Sequence, residues 1–132
     1  MAKSRGYRNN NPLNIRISGD KFQGEVIPST DKSFKQFETA AYGYRAAFRI
    51  LKTYYNNYGL HTIEGLINRW APTNENHTAN YIKSVSERTG IPKDKEILFL
   101  KSVMIPIAAA MCYVENGKEA NMNDIESGWE ML

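Results

Sequence analysis

Between Val103 and Val114 the chain carries no charged side chain, so a helix built from this run is apolar on nearly every face. A helix of that kind has to be buried, and the remaining elements are expected to surround it. Asn116-Gly117 supplies its stop, because glycine takes the left-handed cap conformation without steric cost. One carboxylate, Glu115, falls in the last turn. There the negative end of the helix dipole and low-dielectric packing both disfavour its charged form and raise its pKa. A carboxyl tuned in that direction meets the requirement on a general acid. The same position also suits a partly exposed glutamate that merely ends a core helix.

The length, 132 residues, is that of a single domain spanning 1–132 with a core of its own. Pro106 interrupts the apolar run, which is too short to cross a bilayer, so membrane insertion is not expected. The opening Met-Ala-Lys-Ser-Arg-Gly-Tyr is not an apolar export segment, and the protein is expected to begin in the cytoplasm. The single cysteine, Cys112, lies within the apolar run and reads as a small core residue. His61 and His77 have no carboxylate or thiolate companions at ligand spacing, so neither a metal nor a cofactor is expected. A net charge of +3 allows an anionic partner without choosing one. Lysines and arginines are scattered over several segments rather than along one helix face, which argues against nucleic acid.

Arg5 to Asn14, rich in asparagine and containing Pro12, reads as a capped loop. Asn14–Ile17, Phe22–Ile27 and Ser33–Phe37 alternate apolar and polar residues, as three short antiparallel strands would. From Thr39 the period changes to three and four through Ala40, Tyr44, Ala47, Phe48, Leu51, Tyr54, Tyr55 and Tyr58, an amphipathic helix ending at Gly59 whose aromatic stripe reads as core. Thr62 caps a shorter helix to Trp70, halted by Pro72; a third is expected from about Thr78 to Arg88, then a short helical turn around Asp94 to Phe99. Asn123 and Glu126 have the spacing of a capping box for a last helix. The sum is a mainly helical α+β domain with a small antiparallel sheet near its start and a cleft where the two meet.

Several ordered motifs carry a resemblance over nearly the whole chain: Arg8-Asn9-Asn10-Asn11-Pro12-Leu13-Asn14-Ile15-Arg16, Phe22-Gln23-Gly24, Phe34-Lys35-Gln36-Phe37, Tyr42-Gly43-Tyr44-Arg45-Ala46, Arg69-Trp70-Ala71-Pro72, Glu75-Asn76-His77-Thr78, Tyr81-Ile82 and Val114-Glu115-Asn116-Gly117. Together they resemble a family of short phage and prophage proteins, often named after the structural lytic enzyme of an enveloped double-stranded RNA bacteriophage. The resemblance implies a lysozyme-like fold and cleavage of bacterial peptidoglycan, at the cell wall after phage-type release or as a virion component beside other phage proteins. A weaker similarity is to bacterial wall glucosaminidases, in which a helix ending in a catalytic glutamate precedes an Asn-Asn-Leu-Phe-Gly-Ile-Lys hairpin and a cleft segment ending in tyrosine. Asn10 to Arg16 is similar to that hairpin opening, and Trp70 to Tyr81 to that cleft segment. The apolar helix ending in glutamate here comes late instead of first, which implies a circularly permuted order.

On that resemblance Glu115 donates a proton to the leaving oxygen and Tyr81 orients or stabilises the reacting centre. Asn10, Asn14, Asn76 and Trp70 bind the sugar or its acetamido groups. Glycoside cleavage normally uses two carboxylates; Glu25, Asp31, Glu38 and Glu75 are the candidates for the second, while lytic transglycosylases of this fold manage with one. Glu126-Ser127-Gly128-Trp129 matches the wording around the glucosaminidase acid, but the capping position would hold Glu126 as the anion. Two alternatives stay open: an endopeptidase on the same fold, although no Ser-His-Asp or zinc constellation is visible, and a non-catalytic virion or wall-binding protein.

Overall fold

The computed structural model describes residues 3–72 and 75–132, with the backbone alone at 75 and 76. Among them are six helices and a two-stranded sheet: α1 Arg5–Arg8, β1 Glu25–Val26, β2 Gln36–Phe37, α2 Ala40–Tyr58, α3 Ile63–Trp70, α4 Glu75–Thr89, α5 Lys101–Asn116 and α6 Met122–Glu130. The fold is mainly helical, with the small antiparallel sheet near the N-terminus. No helix of the described residues is long and apolar enough to cross a membrane.

α5 is the buried helix that its composition demands. Met104, Ile107, Ala108, Met111 and Cys112 are almost wholly excluded from solvent, and α1, α4 and α6 pack on it. Pro106 does not break it. The residue lies on the exposed side of a continuous helix, where the carbonyl left without its N–H donor can turn to water. Gly117 closes the helix with φ 70°, the left-handed conformation anticipated for it.

α2 runs from its cap at Thr39 to Gly59, and α3 from its cap at Thr62 to Trp70, both as the sequence indicates. α6 lies across α2 in the most extensive helix contact of the fold. Gly128 makes that approach possible, since a Cβ there would come within 2.8 Å of the Ala41 carbonyl oxygen and of Tyr44 Cβ. Beside it Trp129 meets Phe48 edge-on at 5.1 Å and stacks on Phe99 at 5.5 Å. The Glu-Ser-Gly-Trp segment is therefore a helix-packing motif.

Four expectations are corrected. Arg5–Arg8 forms one helical turn capped by Ser4 rather than a loop. The strands are shorter than their alternation suggests: Glu25 pairs with Phe37 and Val26 with Gln36, and the first segment contributes only a bridge between Arg16 and Phe34. Asp94–Phe99 is not helical; after a turn the chain is extended, held where Ile97 donates its N–H to the His61 carbonyl and accepts from the Tyr55 hydroxyl. α6 begins two residues early, with Asn121 as its cap and Asp124 in its first turn. Glu126 thus lies beyond the capping position, exposed on the helix surface.

The sheet lobe is braced by a buried ion pair. Lys35, with a side chain 1% exposed, donates through Nζ to Glu25 at 2.9 Å, and the Glu25 side chain is itself only 7% exposed. The same ammonium donates to the Asp20 carbonyl at 2.7 Å, so it ties the loop before β1 to the strand that follows. Each charge is tolerable there only because of the other. Lys35→Met, which strands the Glu25 carboxylate, is expected to cost about 3–5 kcal/mol in urea unfolding, and the double variant Lys35→Met/Glu25→Leu to recover most of it. An equal loss in the double variant would mean that packing, not pairing, is what the lysine provides.

Candidate active site

Three segments far apart in sequence converge on Glu115. Asn14 Nδ2 donates to Glu115 Oε1 at 3.0 Å across 101 residues, and Tyr81 Oη donates to Oε2 at 3.0 Å across 34. Both carboxylate oxygens are thus engaged by neutral donors. Asn14 reaches its place through a left-handed backbone, φ 53°, a conformation asparagine enters more readily than most residues. Its Oδ1 is buried without a hydrogen-bond partner among the described residues and faces Gly6, where a Cβ would come within 3.1 Å of it. Tyr81 projects from α4 and is 3% exposed.

The end of α5 is fixed from the other side by Asn116, which accepts from Ser4 Oγ at 2.7 Å and donates to the Pro12 carbonyl at 2.6 Å. Gly6 lies against this junction; a Cβ on it would come within 2.5 Å of Asn116 Oδ1. Only a residue without a side chain allows α1 to sit this close. At the other end of the site the Thr78 hydroxyl donates to the Ala71 carbonyl, tying the start of α4 to the end of α3.

Burial pushes the Glu115 carboxyl above its ordinary pKa, while the hydrogen bonds from Asn14 and Tyr81, the Trp70 indole and the His77 imidazole pull the other way without overcoming it. Tyr81 is pushed well up as well, first by burial and then by the charge of Glu115. Its phenol therefore keeps its proton and serves as a donor, not as a base.

Glu115, Tyr81, Asn14 and Trp70 line one cleft of about 940 Å³, at the upper end of ordinary ligand clefts. Asn10 does not belong to that lining. Its amide donates to the Phe37 and Glu38 carbonyls at 3.2 and 3.3 Å, which joins α1 to β2 and leaves no amide hydrogen for a sugar. The side chains of Asn76 and Glu75 lie outside the described residues. Of the other carboxylates considered as a second catalytic group, Glu25 is engaged by Lys35. Asp31 is held well below the usual carboxylate range, first by Arg5, which pairs with it at 2.7 Å. Glu38 is exposed outside the cleft lining. Asp20 does line the cleft, a position its turn-like Ser-Gly-Asp context did not reveal.

The sequence pattern also missed half of the cleft wall. Tyr54 and Tyr58, the end of the aromatic stripe on α2, line the cleft together with Arg69, Tyr54 while still packed against the core and Tyr58 exposed. Tyr54 meets Trp70 edge-on at 6.4 Å, and Arg69 lies over the Tyr58 ring at 3.7 Å. A signal was available: these two stripe positions carry hydroxyls and fall in the last turns, beyond the fully buried Leu51. Among the described residues no group of three or more His, Cys, Asp or Glu side chains is placed to hold a metal ion.

The fold and the site define a mainly helical protein with a small N-terminal sheet and one cleft built around a buried carboxyl. No family model matches the chain. Protein P5 of Pseudoalteromonas phage PM2 is 43% identical over 132 residues, covering 96% of this chain and 81% of the relative. The chain belongs to the same protein family as that phage P5.

The raised Glu115 carboxyl sets the sign of a pH effect. The folded protein keeps this proton at a pH where the unfolded chain has released it, so the associated stability is full below the unfolded value and lost as pH rises through the folded one. Glu115→Gln has no such loss. The Tm of the variant minus that of the wild type should therefore grow as pH rises above the ordinary glutamate value of about 4.3. A difference that stays flat or shrinks as pH rises would contradict the raised pKa.

Proposed function

We propose that the protein cleaves the glycan strand of bacterial peptidoglycan, with Glu115 as the general acid. The observation that carries this reading is a carboxyl raised by burial, with both oxygens oriented by neutral donors, opening into an aromatic-lined cleft. Glu115 gives its proton to the glycosidic oxygen as the C1–O bond breaks. The resulting carboxylate is stabilised by the Asn14 amide and the Tyr81 phenol, and then accepts a proton from the attacking nucleophile. With water as that nucleophile the product is a reducing sugar. With a hydroxyl of the sugar itself it is an anhydro sugar, and Glu115 alone suffices for the proton transfers. Trp70 and Tyr54 offer faces and edges on which a pyranose can stack, and the phage membership of the family fits a wall polymer as target.

The test is digestion of purified peptidoglycan by the wild type and by Glu115→Gln, with fragments identified by mass spectrometry. Wild type is expected to release muropeptides, and the variant to do so about 10²- to 10⁴-fold more slowly while remaining folded. Equal release by both would remove Glu115 from the chemistry. Peptide fragments with intact glycan would make the protein an endopeptidase. No release from several wall types would leave a virion or wall-binding scaffold.

A further inference from the structure

The cleft is more basic than the chain. Over the whole sequence 17 lysines and arginines face 14 aspartates and glutamates. In the cleft lining Arg16, Lys21, Arg49 and Arg69 stand against Asp20 and Glu115, and Glu115 is already engaged by Asn14 and Tyr81. All four cations are exposed, and among the described residues none has a carboxylate within ion-pair distance.

Two of these guanidinium groups are positioned in advance. Arg69 lies 3.7 Å from the Tyr58 ring centroid and 5.1 Å from that of Tyr54; Arg16 lies 5.1 Å from that of Phe34. They come from separate parts of the fold, Arg69 from the end of α3 and Arg16 from the hairpin segment. A guanidinium held over an aromatic ring keeps its N–H edge available, and that edge matches a carboxylate through two parallel hydrogen bonds. Holding it there beforehand lowers the entropy lost when the ligand arrives.

We propose that the cleft recognises a glycan bearing carboxylates, with sugar rings on its aromatic side chains and carboxylates on the Arg69 and Arg16 guanidinium edges. The inference rests on the glycan-cleaving reading and assigns the groups of that substrate on which the cleft arginines act. A neutral poly-N-acetylglucosamine offers these arginines nothing, whereas wall glycan offers carboxylates from two sources, the lactyl groups of muramic acid and the peptide stems. Single-stranded nucleic acid also combines anions with stacking rings, but Asp20 in the same lining repels a continuous phosphate chain.

The test measures affinity without turnover, using full-length Glu115→Gln. Its ligands are chitohexaose, a peptide-free wall glycan of equal length carrying lactyl carboxylates, and the same glycan carrying peptide stems. At least one carboxylated ligand is expected to bind about tenfold or more tightly than chitohexaose, with the gap closing as salt is added. Adding Arg69→Gln, or separately Arg16→Gln, should shrink that ratio to below about threefold. Whichever carboxylated ligand shows the gap identifies the source. Equal affinity for all three ligands, binding to none, an unchanged ratio in both arginine variants, or tighter binding of a single-stranded oligonucleotide of equal length would overturn the proposal. Failure here alongside Glu115-dependent digestion would leave the enzyme reading standing without carboxylate recognition. A clear affinity ladder without digestion would remove the catalysis and keep the recognition.

Discussion

The last turn of α5 is docked on the segment from Ser4 to Asn14, and the site exists because of that contact. Asn116 is held between Ser4 and the Pro12 carbonyl, and Glu115, one residue earlier, is held by Asn14. An isolated α5 would present its terminal carboxylate to water, as most glutamates do. With α1 and the asparagine-rich segment laid over it, the carboxylate keeps its hydrogen bonds but loses most of its solvent. The glycine at position 6 is part of the same arrangement, since any side chain there would push the covering segment away from Asn116.

The buried charges of the fold are treated in opposite ways, and the contrast separates support from chemistry. Lys35 and Glu25 neutralise each other inside the sheet lobe, and their geometry serves the loop that carries Asp20 and Phe22 to the cleft. Asp31 is paired with Arg5 and accepts backbone N–H groups from Ser33 and Phe34, so it stabilises a turn as a permanent anion. Glu115 instead accepts from neutral groups, the Asn14 amide, the Tyr81 phenol and the Trp70 indole. These bonds offset part of the cost of burial without removing it, and the remainder appears as a raised pKa. A carboxyl whose charged form its surroundings disfavour is a poor stabiliser of a fold and a useful proton donor.

Much of this was legible where the determinants are local. The charge-free run predicts a buried helix because nothing else can hide it, and Thr39, Gly59, Thr62 and Gly117 mark the helix ends because caps act over three or four residues. Glu115 follows from the same local logic. What escaped depends on contacts between distant segments. A capping-box spacing at Asn123 gave way to Asn121, which offers an equivalent side chain two residues earlier. The extended path around Ile97 is set by bonds to His61 and Tyr55, which no window of sequence contains. The burial of Lys35, just before β2, depends on Glu25 ten residues earlier, a partner that the alternation of Ser33–Phe37 does not announce. The cleft wall is assembled from the hairpin, α2 and α3, so its basic and aromatic character becomes visible only once those elements meet.

The order of elements along the chain matters less than their contacts. Ser4 and Asn116 touch at 2.7 Å although 112 residues separate them, so the end of the acid-bearing helix and the start of the asparagine-rich segment are neighbours in space. Segments adjacent in this way can be connected in a different order without disturbing the packing between them. A short join at this point would make α5 run directly into the segment that carries Asn14. α6 would then be an independent strap on α2, consistent with its contacts being richer with α2 than with α5. Such a reconnection would leave Glu115 caught between Asn14 and Tyr81, because both bonds depend on which segments meet and not on how they are joined.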